Sequence, residues 1–319
     1  MSDISLTASM RSNLLSLQNT QSLMDTTQER LSTGKKVNSA IDNPSSYYTA
    51  QSLNNRASDL SALLDSMGQA IQTIKAADEG IEAITSFAQQ AKAVAQSAAD
   101  SSDVTERDNY MKQFNDILAQ IDGIAKDSGY KGVNLLNQGS LTVKFNETGD
   151  SSLTITGRNA TSEGLGVDDA AAWGTSDTTK TAKENMDKAK TALDAAGEGD
   201  KTAKQTAYDD AVKAYNEAVA ADVTAGNAKI EASIKAVDTA ISTLRSMASE
   251  FGNNYSIVQS REDFTENLIN VLTEGADKLT LADMNEESAN MLALQTRQQL
   301  AINSLSLASQ AAQSVLKLF

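Results

Sequence analysis

The chain of 319 residues contains no cysteine and no histidine. Without cysteine it cannot form a disulfide framework. Without histidine it lacks the commonest general base and the commonest ligand of transition metals, which argues against most hydrolytic chemistries. We therefore predict a protein that is not an enzyme and that carries no cofactor and no metal.

Proline and aromatic residues are also scarce. Proline occurs once, and aromatic residues make up only 4% of the chain. Because a proline inside a helix removes a hydrogen bond and clashes with the preceding turn, its scarcity favours long helices. We predict a mainly α fold of long antiparallel helical rods and terminal coiled-coil helices. A small β-hairpin region and an inserted helical hairpin lie in the middle of the chain.

Charge and hydropathy exclude two classes of partner. The net charge of −15 argues against nucleic acid and anionic lipid, since both repel an acidic surface. No run approaches the roughly 18 apolar residues that a membrane span requires. The first thirty residues also lack the unbroken apolar core of a signal peptide. We expect no nucleic-acid partner and no membrane partner.

Both ends of the chain carry apolar residues at coiled-coil spacing. The seven-residue period places each row on one helical face, and Gln298 interrupts one of the rows. These rows predict burial against each other or against neighbouring copies. An intramolecular helical pair is the alternative, and for an arbitrary protein it would be the leading interpretation. The motifs described below are the reason that we favour burial between copies. The predicted self-assembly residues are Met10, Leu14, Leu17, Met24 and Leu31 at the front, and Met291, Leu294, Ala301, Leu305, Ala308, Ala312, Val315 and Phe319 at the back.

Five segments follow from the pattern. Residues 1–43 form an N-terminal coiled-coil segment and a link, and residues 44–156 form rod helices followed by a β-hairpin. Residues 157–227 form a surface-exposed insertion, 228–279 a C-terminal rod helix, and 280–319 a C-terminal coiled-coil segment. The first rod is indicated by a strict seven-residue row of Leu60, Met67, Ile74, Ile81, Ala88 and Ala95.

The middle of the chain changes character twice. Alternating apolar and polar residues at 141–145 and 153–156 predict the β-hairpin. Residues 157–177, rich in glycine, serine, threonine and aspartate, predict an exposed loop around the lone Trp173. Alanine and charged residues then predict two helices, 178–195 and 201–221, broken at the glycines between them.

Several motifs occur in an order that resembles bacterial flagellin. The resemblance covers residues 1–156 and 228–319, and the middle does not match. Its motifs are RLSTGKKVNSA at 30–40 followed by Asp42, Asn43 and Pro44; YKGVNLL at 130–136; ALQTRQQL at 293–300; and QSVLKLF at 313–319.

This resemblance implies a secreted structural subunit that polymerises into the flagellar filament for swimming motility. Its terminal helices would pair into an inner tube, and the chain would leave the cell through the flagellar type III apparatus. The implied partners are other copies, the filament cap, the hook–filament junction proteins, an export chaperone on the C-terminal helix, and the export gate.

Two alternatives to the filament subunit stay open at this point. A hook–filament junction protein has the same kind of terminal coiled-coil helices, but only a few copies of it are present in each flagellum. A surface-exposed binding module would use the acidic middle hairpin to recognise a ligand. Long homopolymers would distinguish a filament subunit from both.

In many flagellins an arginine-bearing face of the first rod is recognised by a host innate receptor. The corresponding stretch here includes Gln89, Gln90 and Lys92 and lacks those arginines. A neutral glutamine cannot replace the planar, multidentate donors of arginine. The resemblance therefore implies weak or absent receptor activation.

Overall fold

The computed structural model describes residues 8–316, which are mainly helical and include one two-stranded antiparallel sheet. The predicted mainly α fold class is confirmed. The helices are α1 (Ala8–Thr33), α2 (Pro44–Asp100), α3 (Val104–Asp127), α4 (Asp177–Asp194), α5 (Lys201–Thr280) and α6 (Met284–Leu316), and the strands are β1 (Ser140–Lys144) and β2 (Ser152–Thr156).

The chain divides into two compact units. The first unit comprises the residues up to Ala62 together with those from Thr265 onward, and the second comprises Leu63–Phe264. Helices α2 and α5 each contribute residues to both units.

Heptad rows build the core of the second unit. Buried residues recur every seven positions along α2 and α5, so each row forms a continuous stripe on one helical face. The α2 row ends in the two alanines Ala88 and Ala95, whose small side chains allow neighbouring helices to approach closely. The rows consist of Met67, Ile74, Ile81, Ala88 and Ala95 on α2, and Ile230, Val237, Leu244, Phe251 and Val258 on α5. Helix α3 adds Phe114, Leu118, Ile121 and Ala125 to the same core.

The segment after α3 is held by one asparagine side chain. The Asn134 amide nitrogen donates to the carbonyls of Ala125 and Lys126 at 2.8 and 2.9 Å, and its oxygen accepts from the Leu136 N–H at 2.8 Å. Two carbonyls at the end of α3 are thereby satisfied, as helix termini require. This contact positions Leu135 and Leu136, which are fully buried.

The β-hairpin forms where alternation predicted it. Ser140 pairs with Thr156 and Lys144 with Ser152, and the strand bounds differ from the predicted ones by one residue. Val143 and Ile155 are buried on one face, which anchors the hairpin to the core of the second unit.

The prediction of an exposed loop around Trp173 is wrong. Trp173 is fully buried, with its ring centroid 5.0 Å from that of Phe114. Asn115 exchanges two hydrogen bonds with the backbone of Ala170, at 2.7 and 3.0 Å, which fastens the segment to α3. The turn-forming residues here fold an irregular segment onto the core instead of exposing it. The first part of the predicted insertion therefore belongs to the core.

The predicted end of a helix near residue 221 is also wrong, because α5 runs without a break from Lys201 to Thr280. Helix α4 lies beside the beginning of α5, and the Ser176 N–H donates to the Asp222 carboxylate at 2.8 Å. Burial tends to raise the pKa of Asp222, but the hydrogen bonds from Ser176 and Thr179 outweigh it and lower the pKa. The predicted hairpin is therefore one separate helix packed on an extension of the rod.

A buried arginine fastens the corner between α2 and α3 to α5. Arg107 donates to the carbonyls of Ser101 and Val223 at 2.7 and 3.0 Å and to the Asn227 side chain at 2.6 Å. Burial lowers the pKa of its guanidinium, although guanidinium stays charged at any physiological pH. Sequence reasoning missed this residue, since a single arginine among charged neighbours carries no pattern.

We predict opposite effects for two glycine substitutions within α5. A Cβ at Gly226 would lie 2.3 Å from the Trp173 carbonyl oxygen, so Gly226→Ala requires a backbone shift and should destabilise the second unit by about 1–3 kcal/mol. A Cβ at Gly252 meets nothing within 4 Å, so Gly252→Ala should stabilise it by roughly 0.5–1 kcal/mol through helix propensity. Urea unfolding followed by Trp173 fluorescence measures both. Equal effects of the two substitutions would contradict the close approach at Gly226.

Candidate assembly surface

Helices α1 and α6 pair in antiparallel orientation within the first unit. Three side-chain hydrogen bonds join them, and as the residue number increases along α1, that of its partner on α6 decreases. In these bonds, Asn13 donates to Ser304 (3.5 Å), Gln298 donates to Gln21 (2.8 Å), and Arg30 donates to Glu287 (2.9 Å).

The predicted front row lies in the seam between these helices. Met10 is buried, and Leu17, Met24 and Leu31 are half-buried. Leu14 is 37% exposed and lies at the edge of the row.

A second row on α1 escaped prediction. Thr20 and Thr27 are 2% and 6% exposed, and each follows a predicted seam residue by three positions. Thr20 can be buried because its hydroxyl donates to the Ser16 carbonyl of the same helix at 2.8 Å. The prediction considered only apolar residues. Heptad spacing that also included polar residues would have identified both threonines.

The predicted back rows occupy the matching face of α6. Leu294 is buried, and the side chains of Met291, Ala301, Leu305 and Ala308 are half-buried. Ala312 and Val315 belong to α6 by their backbone, but their side chains are outside the description, and Phe319 lies outside the described residues.

One residue of α6 extends the seam beyond the predicted rows. Glu287 precedes Leu294 by one heptad and is 7% exposed. Its carboxylate accepts the hydrogen bond from Arg30, which supplies the opposite charge that a buried carboxylate needs.

The seam pairs the two predicted rows against each other, and burial between copies stays a prediction. The described residues of the front and back rows face each other within one chain, as the intramolecular alternative proposed. The physical reason is that two narrow, heptad-spaced faces match one another and close off the seam residues. In the single chain, the other faces of α1 and α6 remain available for contact between copies.

Those other faces carry exposed apolar side chains. Fourteen large apolar residues are exposed among the described residues, and twelve of them belong to the first unit. A concentration of exposed apolar side chains is typical of interaction sites in soluble proteins. Those on the two terminal helices are Leu14, Leu15, Leu23, Met284, Leu292, Leu300, Ile302 and Leu307.

The link after α1 is fastened to the connection between α5 and α6. Gly34 ends α1 with a positive φ of 71°, and its carbonyl accepts from the Ala282 N–H at 2.9 Å. The Lys36 N–H donates to the Thr280 carbonyl at 2.7 Å. These bonds hold the beginning of α6 beside the end of α1, which places the two helices for pairing.

Asp42 stabilises the shape of this link. Its carboxylate accepts the N–H groups of Ser39 and Asn38, each at 2.9 Å, and these bonds lower the pKa of Asp42. Asn43 then caps α2 by accepting the Ser46 N–H at 3.1 Å, and Pro44 occupies the first helical position.

The stretch predicted to face a receptor lies on α2 in the second unit. Gln89 and Gln90 are exposed, whereas the Lys92 ammonium forms an ion pair with Asp238 at 2.6 Å. Lys92 is thus engaged in a contact between α2 and α5.

The described residues offer no group of acidic, histidine or cysteine side chains that could hold a metal ion. None of their helices is long and apolar enough to cross a bilayer. The cavities on α4 and the start of α5 are open grooves lined mainly by small and polar side chains. Among the described residues, exposed apolar contact area is concentrated in the first unit.

Comparison with known proteins assigns the family. The model of the bacterial flagellin N-terminal helical region matches residues 4–140, and that of the C-terminal helical region matches residues 234–319. Flagellin C of Rhizobium meliloti is 28% identical over 306 residues, which cover 93% of this chain and 92% of that protein. A flagellin of Brucella melitensis is 27% identical over 319 residues, with 100% and 99% covered. Because both family models match in order and relatives align over nearly the full length, the chain belongs to the bacterial flagellin family.

Proposed function

We propose that this chain, a structural subunit of the bacterial flagellar filament, assembles with other copies through the outer faces of α1 and α6. The observation that carries the proposal is the concentration of exposed large apolar residues in the first unit. Burying one leucine side chain contributes roughly 1.5–3 kcal/mol, so several such contacts per copy can stabilise a polymer.

The predicted rows have an indirect part in this assembly. Met10, Leu17, Met24 and Leu31 hold α1 against α6, and this pair presents the outward leucines as one surface. Without the seam, the two helices would bury too little surface to stay folded. The rows are self-assembly residues because they build the surface, and the outward leucines make the contacts between copies.

Flagellins form extracellular filaments, and the finer partners of this chain are part of the proposal. We expect export through the flagellar type III gate and contact with the filament cap and the hook–filament junction proteins. An export chaperone would cover α6, whose exposed Leu292, Leu300 and Leu307 need protection before assembly. The chain would act without a cofactor and without enzymatic activity.

The alternatives receive less support. The relatives named above are flagellins, which does not favour a hook–filament junction protein. The grooves on the middle hairpin are open and lack convergent aromatic and polar groups, which does not favour a binding module.

The proposed contact can be tested at Leu300, which is 64% exposed on α6. Leu300→Asp should raise the protein concentration needed for polymerisation at least about tenfold, because a carboxylate would enter an apolar contact. Leu300→Met should polymerise normally, since it keeps the apolar contact. Electron microscopy and sedimentation of seeded monomer measure both variants.

Two controls accompany this test. Asn185→Asp adds the same charge to an exposed position of α4 and should leave polymerisation unchanged. A chain lacking residues 294–319 should form no filaments and serves as the reference for complete loss. Normal filaments from Leu300→Asp would show that this face of α6 is not an assembly contact.

A second prediction concerns the middle hairpin. Removing residues 178–221 joins two points that are already adjacent, because Ser176 is hydrogen-bonded to Asp222. The shortened chain should polymerise as the full chain does, since the removed part contributes none of the exposed large apolar residues. Electron microscopy measures filament yield and length, and Trp173 fluorescence checks that the second unit is intact. Loss of filaments with Trp173 still buried would assign the hairpin a part in assembly.

A third prediction concerns the host receptor. Purified monomer should activate a receptor reporter cell weakly or not at all, because Gln89 and Gln90 are neutral and Lys92 is paired with Asp238. Gln89→Arg with Gln90→Arg should raise the response if the missing arginines are its cause. A strong response to the unmodified chain would refute this prediction.

A further inference from the structure

Three side-chain polar contacts are distributed along the seam between α1 and α6. They join Asn13 to Ser304, Gln21 to Gln298, and Arg30 to Glu287, and they recur about every two turns along α1. We call these three contacts the polar ladder. They occupy positions at or beside the seam, where apolar side chains would stabilise the pair more strongly.

We propose that the polar ladder fixes the register of α1 against α6. The register would then set the relative heights of the outward leucines on the two helices. That consequence for assembly rests on the proposed function, whereas the register itself is a property of the single chain.

The apolar rows cannot fix the register by themselves. Their residues recur every seven positions, so sliding one helix by one heptad again places apolar residues opposite each other. Alanines at 301 and 308 accept either leucine or methionine as a neighbour. The periodic part of the seam therefore admits several registers of similar stability.

The ladder removes that ambiguity. Glu287 is 7% exposed, and a slip of one heptad would move it about 10 Å along the axis from Arg30. A buried carboxylate without a partner is strongly unfavourable. Gln298 is half-buried and would lose its bond to Gln21 in the same slip. Both losses disfavour every register except the observed one, and fixing register is an attested use of polar groups in coiled coils.

Introduced cysteines can measure the register, because the chain has none of its own. The ladder places Met24 beside Leu294, so Met24→Cys with Leu294→Cys reports the observed register. Leu17→Cys with Leu294→Cys reports a slip of one heptad, since these positions lie too far apart to be bridged in the observed register. Non-reducing electrophoresis and mass spectrometry count intrachain disulfides in monomer and in polymer.

We expect the first pair to close at least about tenfold more than the second, the ratio that ~1.4 kcal/mol produces. In a chain carrying Asn13→Leu, Arg30→Met, Glu287→Leu and Gln298→Leu, the two pairs should close to within about threefold of each other. Matched substitutions at exposed positions of α6, Gln295→Leu and Gln299→Leu, should preserve the tenfold preference.

Three outcomes would overturn the proposal. They are equal closure of both pairs in the otherwise unmodified chain, a tenfold preference that survives loss of the ladder, and closure of neither pair in either state. If circular dichroism shows that the variant with four substitutions has lost helix, Gln298→Leu alone is assayed. This single substitution must also bring the closure of the two cysteine pairs closer together. A chain that keeps its register but forms no filaments would contradict the proposed function and leave this inference standing.

Discussion

The contact on which the first unit depends is the antiparallel pairing of its two terminal helices. It joins residues as far as 291 positions apart, as between Asn13 and Ser304. Loop-closure entropy grows only slowly with length, at about 0.6 kcal/mol per doubling, so this separation does not prevent pairing. The bonds between the link at Gly34 and the start of α6 shorten the effective loop further. A narrow seam of methionine, leucine, alanine and a few polar residues is sufficient because the helices arrive already aligned.

The partition of apolar residues explains how one chain can be both a folded subunit and a polymer contact. In the second unit, rows such as Ile230, Val237 and Leu244 are buried within the chain, and exposed large apolar residues are limited to Ile257 and Phe264. In the first unit, the seam is narrow and leaves leucines outside it. Hydrophobic burial is non-directional, so these leucines favour contact with any matching surface. In the proposed assembly, other copies supply such a surface at every step of the filament.

Periodic elements could be predicted from the sequence, and irregular ones could not. The row from Met67 to Ala95 predicted α2 because spacing alone places it on one face. The segment around Trp173 carries no period, and its polar turn residues are typical of both exposed and packed loops. Composition assigns no role to Gly226, although it allows the close approach of the Trp173 carbonyl. Such information lies in tertiary contacts rather than in the local pattern.

The same limit applies to the assembly surface. Apolar spacing identified the seam rows but could not distinguish a partner helix in the same chain from one in a neighbouring copy. The structure adds polar residues to this seam, because Thr20, Thr27 and Glu287 are buried with α6 lying against α1. A polar side chain is accepted in a seam where a specific partner meets it, as Arg30 meets Glu287. Polar residues at heptad positions therefore indicate more strongly than apolar ones which helical faces pair with each other. The exposed apolar residues outside the seam indicate which faces are left for contact with other copies.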